Sequence, residues 1–190
     1  MRTAPVALAY LDDPAGLAQA AMGISELTHF DSSAGQACVL WSLAIRHAVL
    51  TGELDPRAGL PYLPARTLDV WAARLVEAAK SRPSDFSKNG WVVEALQAAW
   101  SAIATTQSAD STGEAPYTGA DRADHLRLAL ENAVRGGRDT DTVAAIAGGL
   151  LGAAYGASAV PEEWCATIHG WPGCKAPDLI RLTSEILTRA

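Results

Sequence analysis

The chain has 190 residues, 49% hydrophobic and 19% charged, a balance that excludes a disordered chain and fits one globular domain spanning residues 1–190. A net charge of −6, with 15 basic residues that form no cluster, excludes a nucleic-acid surface, which would carry a basic stripe. Three cysteines suggest no disulfide framework, no run of ~20 apolar residues offers a membrane span, and the apolar start before Asp12 is too short for a signal peptide, so the expected setting is cytoplasmic with no membrane partner.

Helical patterns recur along the chain and strand patterns hardly occur, so the expected fold class is all-α. Residues 4–11 form a short apolar helical segment. Pro14 suits the first turn of a helix running to about residue 28. Ser32 or Ser33 caps the next helix, where Ala37, Leu40, Trp41, Ala44 and Ala48 make an apolar stripe and Gly52 marks the stop. Residues 53–64 carry three prolines and a glycine and read as a connection. A helix over about 67–80 ends before Pro83. Residues 91–105 are apolar nearly all round, which places that helix in the interior. Residues 107–119 are the best loop candidate. Asp121 caps a helix bearing Leu126, Leu130, Ala133 and Val134, and Gly136-Gly137 ends it. Two further helices follow the central one, over about 161–169 and 177–189. Cys165 and His169, four apart with Cys174 beyond, read as one buried helical face rather than as zinc ligands.

The stretch Gly136-Gly137-Arg138-Asp139-Thr140-Asp141-Thr142 crowds two carboxylates and two hydroxyls into four positions. Oxygen donors of this kind suit a hard cation such as Mg²⁺. On a helix, positions i and i+2 point about 200° apart, so Asp139 and Asp141 share an ion only if the segment before Val143 is not yet helical. Gly136 and Gly137 permit such a turn. The alternative is an ordinary capped helix start, for which Asp and Thr are equally suited. The helix that follows, over 143–156, carries Gly148, Gly149, Gly152 and Gly156 at a cost of about 1 kcal/mol each relative to alanine. That cost implies crowding by neighbours on every side, with the helix N-terminus fixed in the core.

Residues 137–156, GRDTDTVAAIAGGLLGAAYG, followed by Val160-Pro161 and Trp164, resemble the ADP-ribosylglycohydrolase family, of the dinitrogenase-reductase-activating glycohydrolase type. Leu27-Thr28-His29-Phe30-Asp31 is similar to the family's Thr-His segment, and Asn89-Gly90-Trp91-Val92-Val93 to its Gly-Tyr-Val-Val segment. His169-Gly170-Trp171-Pro172-Gly173 is similar to the closing segment. The resemblance implies a compact multi-helix domain with orthogonal packing and two Mg²⁺ ions held in part by Asp139, Asp141 and Thr142. It implies catalytic roles for Asp139 and Asp141. It further implies a groove for ADP-ribose lined by His29, Asn89, Gly90, Trp91 and Gly137. On the residues alone, Asn89 reads as a helix cap and Trp91 as a core residue. Gly90 would let backbone N–H groups at a helix start approach a diphosphate, where the helix dipole favours an anion.

The resemblance implies hydrolysis of the bond between ADP-ribose and a protein side chain or small acceptor. The family's Thr-Asp-Asp segment, which supplies further metal ligands, has no counterpart here, and Asp12-Asp13 does not replace it. The chain therefore reads as the C-terminal portion of such an enzyme, with impaired activity and a missing N-terminal segment as a partner. Two rivals stand beside this reading: a non-catalytic ADP-ribose-binding or regulatory module, and a helical interaction protein that keeps only the fold.

Overall fold

The computed structural model describes residues 1–106 and 119–189, so the loop expected over 107–119 lies, but for Gly119, outside the described residues. The all-α expectation holds: apart from one hairpin of two two-residue strands, the regular structure of the described residues is helical. In order come α1 (Ala4–Leu8), α2 (Pro14–Glu26), α3 (Ser32–Thr51), a 3₁₀ segment Pro56–Tyr62, α4 (Ala65–Ala78) and a 3₁₀ turn Pro83–Asp85. Then follow α5 (Val92–Ala104), α6 (Gly119–Arg135), α7 (Thr140–Tyr155), a 3₁₀ turn Ala157–Ala159 and α8 (Glu162–Thr167). Strands β1 (His169–Gly170) and β2 (Cys174–Lys175) pair antiparallel, and α9 (Ala176–Arg189) closes the chain. No described helix is long and apolar enough to cross a membrane.

Capping chemistry sets the boundaries of α2 and α3. Asp13, ahead of Pro14, accepts from the Gly16 N–H and starts α2. The cap of α3 is Asp31 rather than Ser32 or Ser33; its carboxylate takes the N–H groups of both Ser33 and Ala34, which a hydroxyl serves less well. Gly52, at φ 77°, ends α3 in the left-handed conformation that L side chains resist.

The core lies where α3, α5 and α7 meet. The predicted α3 stripe of Ala37, Leu40, Trp41, Ala44 and Ala48 is buried throughout. In α5, nine of thirteen residues are buried, from Val93 to Ile103, as its near-continuous apolar sequence requires. Along α7 the buried set is Val143, Ile146, Ala147, Leu150, Leu151, Ala154 and Tyr155. The central helix is not crowded on every side, however: Ala145 is exposed, and a Cβ added at Gly152 would meet nothing within 4 Å. Gly149 does mark a close approach, since a Cβ there would lie 3.3 Å from Ala4 and 3.5 Å from Ile45.

These contacts also fix helix directions. Trp41 Nε1 donates to Ile146 O at 2.9 Å, Ile45 lies against Gly149, and Gly52 lies level with Ala154 O. Numbers rise together on both helices, so α3 and α7 run parallel. The start of α5 bonds to the residues just before α7, while Ile103 near its end and Tyr155 at the end of α7 both bond to the buried His125. Helix α5 therefore runs parallel to them as well. Three helix N-termini face one end of the molecule.

Two expectations change at the C-terminal end. Helix α8 stops at Thr167, because Ile168 is extended and Gly170 to Gly173 form a hairpin turn closed by Gly173 N–H to Gly170 O at 2.6 Å. His169 thus lies in β1, paired with Lys175 and exposed, not on a buried helical face with Cys165. Helix α9 touches mainly α1 and β2, and leaves Leu179, Ile180, Leu182 and Leu187 exposed.

Candidate functional site

The acidic stretch occupies the turn between α6 and α7. Helix α6 ends at Arg135, and the Gly136 and Gly137 N–H groups bond back to Asn132 O and Val134 O. Gly137 then takes φ 80° and Arg138 φ 64°. Arg138 is the one non-glycine residue with positive φ among the described residues, in a region L side chains enter at a cost of about 1–2 kcal/mol. Asp139 follows at φ −83°, ψ 66°, with Thr140 N–H donating to Arg138 O at 3.0 Å. Those angles and that bond define an inverse γ-turn centred on Asp139.

Helix α7 begins at Thr140, one residue later. The expectation that the segment before Val143 is non-helical is corrected here: Thr140, Asp141 and Thr142 form the first helical turn, and only Asp139 stands outside it. The 200° divergence of i and i+2 on a helix does not govern this pair, because the γ-turn sets the direction of Asp139 separately. Asp139 is half-buried and Asp141 exposed.

Asp139 stands at the N-cap position yet makes no side-chain cap hydrogen bond. An Asp there ordinarily folds its carboxylate onto the second or third N–H of the helix. Here the carboxylate is turned away, with Oδ2 3.9 Å from where a Cβ at Gly90 would sit. The reading of this stretch as an ordinary capped helix start therefore does not describe it. Neither Asp139 nor Asp141 has a hydrogen-bond or ion-pair partner for its carboxylate among the described residues.

The Asn89-Gly90-Trp91 segment meets this turn directly. Asn89 Nδ2 donates to Gly137 O at 2.9 Å, and Asn89 Oδ1 accepts from the Asp139 N–H at 3.1 Å. Asn89 is not the cap of α5. Glu94 reaches back to the Lys88 N–H at 2.6 Å, and Trp91 holds the N-cap position with no side-chain cap bond. Trp91 is not a core residue either: it is 47% exposed, with the Arg74 guanidinium 5.9 Å from its ring. An apolar cleft walled by Cys38 and Trp41 of α3, Val92 and Leu96 of α5 and Ala145 of α7 opens one turn below Asp141.

His29 reaches this end by a different route. It sits in the connection between α2 and α3, its N–H bonded to Ser25 O and its Nδ1 2.8 Å from Thr28 Oγ1, and it is exposed. The parallel course of α3 and α7 puts that connection at the same end as Asp139 and Asp141, without a hydrogen bond between them. Arg138 was missed by the sequence reading of the site. The signal was present, because a residue between two glycines and an acidic helix start is where a left-handed turn is needed.

The donor set fits Mg²⁺ chemically. Mg²⁺ is bound by one or two carboxylates and keeps several waters, and two carboxylates without protein partners beside a Thr hydroxyl are such a set. Among the described residues no three His, Cys, Asp or Glu side chains gather as a metal-holding group.

The molecule is thus an all-α domain with an acidic, uncapped helix start at the shared end of three parallel helices. The family model for ADP-ribosylglycohydrolase matches residues 1–190, and the chain belongs to that family, whose members hydrolyse ADP-ribose linkages. No curated protein and no solved structure matches it.

Proposed function

We propose that this chain hydrolyses, with Mg²⁺, the bond joining C1″ of ADP-ribose to a protein side chain or a small acceptor. The observation that carries this reading is the Asp139 carboxylate, which forgoes its own helix cap and stands unpaired near Asp141 and the start of α5. Asp139, Asp141 and Thr142 would hold the cation, two ions when the ligand set is complete. Bound Mg²⁺ supplies positive charge that orients ribose hydroxyls and polarises a water.

The chain's own residues perform the remaining tasks. Asp139 and Asp141 hold and orient the attacking water by accepting hydrogen bonds from it, and one of them takes the single proton that the water gives up and passes it to the leaving acceptor. The water oxygen bonds to C1″, the bond from C1″ to the acceptor breaks, and the acceptor leaves with a proton. Exposed His29 and Trp91 flank the ribose and the groove. Gly90 and Gly137 let backbone approach the diphosphate, which the N-terminal ends of α3, α5 and α7 favour electrostatically. Asn89 contributes from beneath, through the turn it bonds to.

Two carboxylates and one hydroxyl are few protein ligands for two ions. Mg²⁺ dehydrates reluctantly, so this site binds it weakly and turnover by the 190-residue chain is slow. The test is release of ADP-ribose from a modified protein, with and without Mg²⁺, by the wild type and Asp141→Asn. Slow release is expected only from the wild type with Mg²⁺. Equal release without metal, or undiminished release by Asp141→Asn, contradicts the proposal. Binding of ADP-ribose with no release at any Mg²⁺ concentration identifies a binding module instead.

A further inference from the structure

We propose that Asn89 is a positioning residue that prevents Asp139 from capping its own helix and so keeps that carboxylate available to a cation. The inference rests on the metal reading above and adds a part to it that no ligand list contains.

The geometry is a two-point clamp. Asn89 is 2% exposed, and both polar atoms of its side chain are committed across the fold to residues about fifty positions away. One bond reaches the carbonyl just before Arg138 and the other the N–H just after it. An amide suits this task because one end donates and the other accepts. An Asp cannot donate to Gly137 O, and an Ala does neither.

What the clamp straddles is the strained residue. Arg138 lies at φ 64°, is exposed, and has no hydrogen-bond or ion-pair partner for its side chain among the described residues that would offset the strain. Sparsely populated backbone conformations persist only where the surroundings over-determine them. Here the surrounding structure is Asn89, together with Gly137 at φ 80°.

The conformation of Arg138 in turn decides where Asp139 points. With Arg138 left-handed, the Thr140 N–H closes a γ-turn onto Arg138 O, and the Asp139 carboxylate faces Gly90 rather than the first turn of α7. Released from the clamp, Arg138 returns to an ordinary backbone region. Asp139 then becomes free to do what Asp at an N-cap ordinarily does, and accepts from the N–H groups of Asp141 or Thr142. Capping and cation binding compete for one carboxylate, and Asn89 decides the competition.

The experiment measures Mn²⁺ affinity, from the electron paramagnetic resonance signal of the free ion, for the 190-residue wild type, Asn89→Ala, Arg138→Gly and the double variant, with Asp139→Asn as control. Asn89→Ala should weaken Mn²⁺ binding about 10–100-fold, as loss of outer partners of metal ligands does. In the Arg138→Gly background the same substitution should cost several-fold less, because glycine takes φ 64° without help. A purely structural Asn89 would lower the unfolding temperature in both backgrounds and leave Mn²⁺ affinity of the folded protein unchanged. That result overturns the inference. If Asp139→Asn binds Mn²⁺ as the wild type does, the metal reading itself fails, which is a distinct outcome. Should Asn89→Ala not fold, Asn89→Ser takes its place, and amide exchange decides in the wild type. The Asp139 N–H should be protected like a helix-interior amide, and rapid exchange there overturns the clamp.

Discussion

His125 shows how one buried polar side chain ties an element together and makes the fold sensitive to pH. It is 2% exposed, with Nε2 3.1 Å from Ile103 O and Nδ1 2.8 Å from the Tyr155 hydroxyl. A carbonyl only accepts, so Nε2 carries the proton and Nδ1 accepts from the Tyr155 hydroxyl in the neutral ring. Burial pushes the His125 pKa below its ordinary 6.5, and bonds to backbone carbonyls only partly oppose this. The unfolded chain therefore binds more protons than the folded one as pH falls through 6.5, and stability drops from that point until the lower folded value is passed. His125→Phe should flatten this dependence. It should also cost about 1–3 kcal/mol at neutral pH, since Ile103 O and the Tyr155 hydroxyl lose that partner. Urea unfolding at pH 7.5 and pH 5.5 measures both effects, and an unchanged slope in His125→Phe would assign the pH dependence elsewhere. Residue types were legible in the sequence at this scale, but their partners were not. Asn89 read as a helix cap because Asn commonly is one, and nothing local reveals that α5 starts at Trp91 without a side-chain cap while Asn89 bonds a loop fifty residues away.

At the scale of elements, periodicity and caps carried most of the reading, because apolar stripes and helix-end chemistry are local. The α3 stripe, the interior character of α5 and the Gly52 stop all follow from neighbours within a few turns. Residues 53–64, read as a connection, hold more than that. Pro56–Tyr62 is a 3₁₀ segment seated on α3, where a Cβ at Gly59 would lie 2.6 Å from Leu40 O and 2.8 Å from Leu40 Cα. Those are backbone atoms of a buried helix and cannot yield as a side-chain tip does. Gly59→Ala should therefore destabilise by about 1–3 kcal/mol or more, as overpacking of a filled interior does. Denaturant unfolding gives the number, and a neutral substitution would mean that the 3₁₀ segment lifts off α3 easily. The misread helix at Cys165 and His169 has a local cause too. The i, i+4 spacing is genuine, but Gly170, Pro172 and Gly173 favour a hairpin turn that extends the chain from Ile168 onward.

At the scale of the whole molecule, the sequence carried the acidic stretch and the family resemblance but not the arrangement that gives them meaning. That α3, α5 and α7 run parallel depends on contacts between residues separated by about 50 to 105 positions, such as Trp41 with Ile146 and Asn89 with Asp139. Parallel packing aims three helix N-termini at one end, where a diphosphate is favoured, yet the same end holds the unpaired Asp139 and Asp141 carboxylates, which repel it. A bound cation would resolve that conflict. The most direct measurement is calorimetric titration of ADP-ribose into the chain with Mg²⁺ and with chelator, for the wild type and for Asp139→Asn/Asp141→Asn. The account predicts binding by the wild type only when Mg²⁺ is present. The double variant, which has lost the repelling charges, should bind weakly and equally in both conditions. Tight binding by the wild type in chelator, or undiminished Mg²⁺-dependent binding by the double variant, would contradict it.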